Sequence, residues 1–127
     1  MDIDLPDVLA EVRAAFDAYE RALVANDVEA LDAMFHDDPR TIRFGGTENL
    51  FGYAQIKAFR AARSPAGLAR TLSDTVITAY GRDVAIASTL FHRTTMPGKV
   101  GRQMQTWVRF PEGWRVVAAH VSVIAEG

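Results

Sequence analysis

The sequence predicts an α+β fold in which three N-terminal helices pack on one face of a strongly curved, mainly antiparallel sheet. Three observations carry this. Apolar residues follow helical spacing in the first half, and from about Ala69 the chain reads as strand to its end. Helices come first and strands last, which is the order of an α+β domain rather than of alternating βαβ units. The last quarter, Gly101 to Val123, holds two runs rich in β-branched and aromatic residues around Pro111-Glu112-Gly113, strong hairpin punctuation.

The first helix is predicted from about Leu5 to Asn26. Leu5, Val8, Leu9, Val12, Phe16, Tyr19 and Leu23 make one apolar stripe. Asp4 is placed to cap it, Pro6 suits its first turn, and Asp7 and Glu11 complement the dipole. Asp27 caps a short second helix with Leu31, Met34 and Phe35 inside, ended by His36-Asp37-Asp38-Pro39. Thr41–Phe44 reads as a short strand, Gly45–Asn49 as a turn, and Leu50-Phe51 as a second short strand. A third helix runs from about Tyr53 to Arg63 and stops at Ser64-Pro65-Ala66-Gly67. Strands follow over 69–80 and 84–95, and the final hairpin completes a four-strand meander. Strict alternation puts Val116, Ala118, His120 and Ser122 on one face of the last strand and Arg115, Val117, Ala119, Val121 and Val123 on the other.

The 127 residues are one domain's worth, 1–127, with an ordinary apolar share of 49% and charged share of 24%. A net charge of −2 gives no reason to expect a nucleic-acid or membrane partner. The chain has no cysteine, which excludes disulfide and thiolate chemistry and is compatible with a cytoplasmic location. The start, MDIDLPDV, is acidic and unlike a signal peptide. His36, His92 and His120 are far apart, so no metal site is expected; no phosphate or dinucleotide fingerprint is present, so no cofactor is expected either.

Arg43 lies inside a four-residue strand, where a guanidinium either faces solvent or is held by an anion. Arg60 and Arg63 share a helix face, which reads as solvated or as a second carboxylate clamp. Tyr19 sits on the apolar stripe, as a core ring or as a hydroxyl projecting into a pocket. Glu48 follows two glycines and is either solvated, paired with Arg43, or a base. His120 and Ser122 share a strand face, and Gln103, Gln105 and Trp107 share a face of the preceding strand, where they could line a pocket.

The order α-α-β-β-α followed by four long strands resembles the nuclear transport factor two-like, or cystatin-like, cone fold with its mixed sheet. That superfamily includes ketosteroid isomerase and SnoaL-type cyclases. The segments FDAYERALVANDVEALDAMFHDDPRTIRFGGTENLFGYAQIKAFRAAR, AYGRDVAIASTLFHR and GRQMQTWVRFPEGWRVVAAHVS resemble more narrowly the oxalurate-catabolism family of HpxZ and AtzH-like proteins. Met104 and His36 depart from that family's pattern. The resemblance implies a cofactor-free amidohydrolase or deaminase acting on a ureido carboxylate such as 1,3-dicarboxyurea, with ammonia release and allophanate-type products, in ureide or s-triazine nitrogen catabolism. It places the family's pocket tyrosine and arginine at Tyr19 and Arg43, with Glu48, Gln105, Trp107, His120 and Ser122 as further substrate-binding candidates. Two other functions stay open: a non-catalytic acid-binding or accessory protein for a partner amidase, and a SnoaL-like isomerase or cyclase.

One layer of helices covers one sheet face, yet both faces of the final strands are largely apolar. The expected assembly is a homodimer through the outer face, because that patch is larger than monomers ordinarily expose. Sedimentation at micromolar concentration should give a dimer; a stable monomer would count against it.

Overall fold

The computed structural model describes residues 1–127. Helices α1 (Pro6–Val24), α2 (Val28–Met34) and α3 (Tyr53–Ala62) accompany strands β1 (Ile42–Phe44), β2 (Asn49–Phe51), β3 (Thr71–Tyr80), β4 (Val84–His92), β5 (Lys99–Phe110) and β6 (Gly113–Ala125). The strands form one six-stranded sheet in the order β2-β1-β6-β5-β4-β3. Only β1 and β6 run parallel, so the sheet is mixed and the predicted meander β3–β6 is its larger part.

Helix α1 buries Val8, Val12, Phe16, Tyr19 and Leu23, the predicted stripe, in one core with Ala79, Ala85, Ala87, Trp107 and Val116 from the inner sheet face. The alanines of β3 and β4 leave room for the larger helix side chains. Its start differs from expectation. Leu5 is the cap residue and no side chain caps the helix. Asp4 instead takes a left-handed backbone (φ 58°) and joins the edge of β3: its N–H donates to the Ala79 carbonyl, and its carboxylate accepts from the Ala79 N–H, both at 2.8 Å. Asp27 caps α2 as predicted, accepting from the Ala30 N–H.

The strict alternation predicted for β6 is corrected by a bulge. Thr106 faces Ala118 across the hairpin, but Trp107 faces Val116, so Val117 is an extra residue. A one-residue insertion reverses which face each later side chain takes. Trp114 and Val116 therefore point into the core before the bulge, and Ala119 and Val121 share the inner face after it, opposite Gln105 and Gln103. Ala118, His120 and Ser122 fall on the outer face, opposite Thr106, Met104 and Arg102. No helix covers that face, where Phe51, Val76 and Met104 are each more than half exposed (57%, 58% and 55%).

Arg60 is corrected as well. It is 4% exposed rather than solvated. Its Nη1 donates to Asp32, and its guanidinium lies over the Phe35 ring, 4.9 Å from the centroid. The pair ties α3 to α2, where the Tyr53 hydroxyl also donates to the Asp32 carbonyl at 2.9 Å. Removing one member strands a buried charge. Asp32→Ala should destabilise the fold by about 3–5 kcal/mol in chemical denaturation, and adding Arg60→Met should recover most of that loss. A double variant no more stable than Asp32→Ala would refute the pairing.

Candidate functional site

A cavity of about 590 Å³ opens between the α1–α3 layer and the inner sheet face. Tyr19 of α1, Arg43 of β1, Phe59 and Arg63 at the end of α3, and Gln103 and Val121 of the hairpin line its body. The α3–β3 connection Ser64–Leu68 and the β4–β5 turn, with Arg93, Thr95 and Met96, line the rest. The alternation of β5 and β6 after the bulge aims Gln103 and Val121 inward, as a facing pair. Arg43 faces Ala119 across the parallel β1–β6 ladder and so points the same way.

Tyr19 is 6% exposed, with its ring edge-on to Trp107 and tilted against Phe35, both at 6.2 Å between centroids. Packing against these two rings holds Tyr19 with its hydroxyl toward the cavity, where no protein group hydrogen-bonds it. Arg43 Nη1 donates to Glu48 Oε1 at 2.9 Å, and its guanidinium lies 5.5 Å from the Phe59 ring centroid. Glu48 Oε2 accepts from the Thr47 N–H and hydroxyl. Gly45 makes the Glu48 pose available, since a Cβ there would lie 1.8 Å from Glu48 Oε1. Burial raises the Glu48 carboxyl pKa, but the Thr47 hydroxyl and the Arg43 guanidinium together outweigh it and hold the group below its ordinary 4.5.

Two further arginines line the cavity and were not singled out from sequence. Arg70 is gripped by Glu20 through two hydrogen bonds (3.0 and 2.7 Å) and donates a third to Gln103 Oε1 at 2.9 Å. Arg70 and Arg93 both lie against the Phe91 ring, at 4.5 and 4.8 Å from its centroid. That ring fits because residue 101 is glycine: a Cβ would sit 2.1 Å from the ring. Continuing the β4 alternation from buried Phe91 past His92 turns Arg93 inward, which is the signal that could have found it. Arg63, considered only as a possible clamp, lines the cavity without an ion pair; Nη2 contacts Asn26 Oδ1 at 3.4 Å.

The cavity thus brings Tyr19, Arg43 and Glu48 together. Gln105 and Trp107 lie deeper, as core beneath Tyr19 rather than lining: Trp107 Nε1 donates to Gln105 Oε1 at 3.1 Å, and both are buried. His120 and Ser122 are corrected by the bulge at Val117. His120 packs against Phe44 on the outer face, and Ser122 accepts from Arg102 there. No cluster of three or more metal-ligating side chains is present, and no helix is long and apolar enough to cross a membrane.

A helical layer over a curved mixed sheet, with an arginine-lined cavity at one end, defines a nuclear transport factor two-like protein of cystatin-like fold. The chain belongs to the AtzH-like family, whose profile matches residues 1–127. A DUF3225-family protein of unknown function from Pectobacterium atrosepticum is 58% identical over 98% of this chain and 96% of that one, with a TM-score of 0.95. A cystatin-like fold protein from Burkholderia xenovorans is 48% identical over 98% of both chains (TM-score 0.94). An NTF2-like protein of unknown function from Pseudomonas putida shares the fold alone, at 19% identity over 91% of this chain and 86% of that one (TM-score 0.76). No curated protein matches the chain.

The folded Glu48 pKa is depressed, so its pair with Arg43 adds stability above the unfolded value and loses it as pH falls through the folded one. Glu48→Gln should therefore melt below wild type at neutral pH, and the gap should close as pH drops below about 4. Parallel melting curves across that range would mean the pair is not formed.

Proposed function

We propose that this protein is a small, cofactor-free hydrolase of a ureido carboxylate, of the kind that 1,3-dicarboxyurea represents, acting in the cytoplasm as a homodimer joined through the outer sheet face. The observation that carries the reading is a phenol hydroxyl, Tyr19, free of protein partners in a cavity lined by four arginines. Guanidinium binds carboxylate by parallel charge-assisted hydrogen bonds, so the ligand's acid end is held at the arginines. That leaves its ureido carbonyl or nitrogen within the same small cavity as the phenol. Water oxygen bonds to the ureido carbon, the carbon–nitrogen bond breaks, and the nitrogen takes a proton as it leaves. From a terminal amide it departs as ammonia; from 1,3-dicarboxyurea, whose nitrogens both carry carboxylates, it departs as carbamate, which breaks down to ammonia and bicarbonate. Tyr19 donates to the group on which charge builds in the transition state and passes or receives that proton.

One observation favours a second reading, an acid-binding or accessory protein for a partner amidase. The lining carboxylate, Glu48, is already engaged by Arg43 and Thr47, and the neighbouring Glu20 is engaged by Arg70, so neither stands free as a base. The same engagement weighs against isomerase or cyclase chemistry, which wants an unpaired carboxylate against an apolar pocket.

The test is a panel of ureido acids followed by ammonia release and by carbon NMR of the products. Tyr19→Phe keeps the ring packing and should lower turnover about a hundredfold or more. Arg43→Met should weaken binding by about 2 kcal/mol in calorimetry, with Arg43→Lys restoring only part, because an ammonium lacks the planar fork. Turnover of Tyr19→Phe within a few-fold of wild type would remove the phenol from the chemistry. Tight binding without turnover by the wild type would establish the accessory reading.

A further inference from the structure

The cavity carries two guanidinium groups beyond those its carboxylates neutralise. Arg43 is matched by Glu48 and Arg70 by Glu20. Arg63 meets only the neutral Asn26 amide oxygen, and Arg93 donates to no protein acceptor. The Nε atoms of Arg63 and Arg93 are both buried and unpaired. So is Nε2 of Gln103, which is 2% exposed. Arg70 is a pure donor, so the Gln103 oxygen must face it, and the amide NH2 group is left for the cavity side. Three side chains from three elements therefore bring unmet donors to one cavity.

These groups are held rather than adrift. The Phe91 ring carries Arg70 and Arg93, and Gly101 leaves the space that ring occupies. Burial, then the neighbouring Arg60 for Arg63 and Arg70 for Arg93, push both guanidinium pKa values down. Both groups nevertheless remain cations in a protein. Each residue is only partly buried, but its Nε has neither solvent nor a protein acceptor, and buried donors are ordinarily met.

We propose that Arg63, Arg93 and the Gln103 amide form an oxyanion subsite separate from Arg43, which selects a small acid bearing two carboxylates over one bearing a single carboxylate. The subsite rests on the ligand occupying this cavity, as in the function proposed above, but not on its hydrolysis. A guanidinium that presents Nε and a terminal nitrogen takes a carboxylate side-on through two hydrogen bonds, with the Gln103 NH2 group as an additional donor. The remaining carboxylate then meets the Arg43 end of the cavity, where Glu48 already offsets part of the charge.

Calorimetry with matched chains tests this: succinate and glutarate against butyrate and valerate. The wild type should prefer each diacid by about tenfold or more, the worth of one charge-assisted pair. Arg63→Gln and Arg93→Gln should each bring that preference to within about twofold, with diacid affinity falling further than monoacid affinity. Arg102→Gln, on the outer face, should retain the full preference. Thermal melts check folding, since removing a half-buried cation that has no counter-charge should leave the melting temperature at or above that of wild type. A variant that melts lower is replaced by its Lys counterpart, which should keep part of the diacid preference. The proposal is overturned if the preference survives in both Gln variants, if the wild type binds monoacids as tightly as diacids, or if inorganic sulfate binds as tightly as any diacid. A diacid preference lost in the two variants, with no ureido acid turned over, upholds the subsite and defeats the hydrolase reading.

Discussion

A guanidinium taken out of water must find a counter-charge, and much of this fold is arranged around that requirement. Arg60 meets Asp32 and locks α3 to α2. Arg70, with a side chain only 1% exposed, meets Glu20 and locks the start of β3 to α1. Arg43 meets Glu48 and closes the β1–β2 turn back on its own strand. Each pair joins elements that the hydrophobic core alone would leave free to slide, since apolar contacts have no direction. The pairs also set the cavity's shape, because two of the three lie in its wall.

These pairs differ in what a ligand can do to them. The Arg70–Glu20 pair is double, with a third bond to Gln103, so it behaves as scaffold. The Arg43–Glu48 pair has a single hydrogen bond and lies at a turn. Glu48 keeps its Thr47 contacts if Arg43 turns away. An incoming carboxylate at Arg43 therefore competes with an internal one for the same donors. What it gains is a difference between two pairings, smaller than a free guanidinium would give. Arg63 and Arg93 offer no such competition.

The helices, the β3–β6 meander and the final hairpin were legible in the sequence, because helical and two-residue periodicities are local and strong. The pairing of Glu48 with Arg43 was one of three roles the sequence left open, and the turn Gly45–Asn49, which holds them five residues apart, realises it. What sequence could not supply was the bulge. Nothing in WRVVAAHVSV marks Val117 as unpaired; the register is settled by which side chains the core accepts opposite Trp107 and Gln105. One residue of slip moved His120 and Ser122 to the outer face and brought Val121 to the cavity. Asp4 and Arg60 were misread for a related reason. Each has a local role open to it, a cap or a solvated face, and tertiary partners 75 and 28 residues away took precedence.

Half-buried cations without a counter-charge lower stability, and single substitutions that relieve them are easy to reach. Met fills nearly the volume of an arginine stem and brings no charge, so packing alone would favour it at positions 63 and 93. Nor does the Phe91 ring account for Arg93, because a thioether packs as well against its edge or face as an aliphatic stem does. The cation over its face recovers only part of the desolvation cost. A cavity that keeps donors without acceptors is less stable empty than filled, and the free energy so stored is released to whatever anion completes it. The charge of the cavity is therefore better accounted for by its occupant than by the fold that surrounds it.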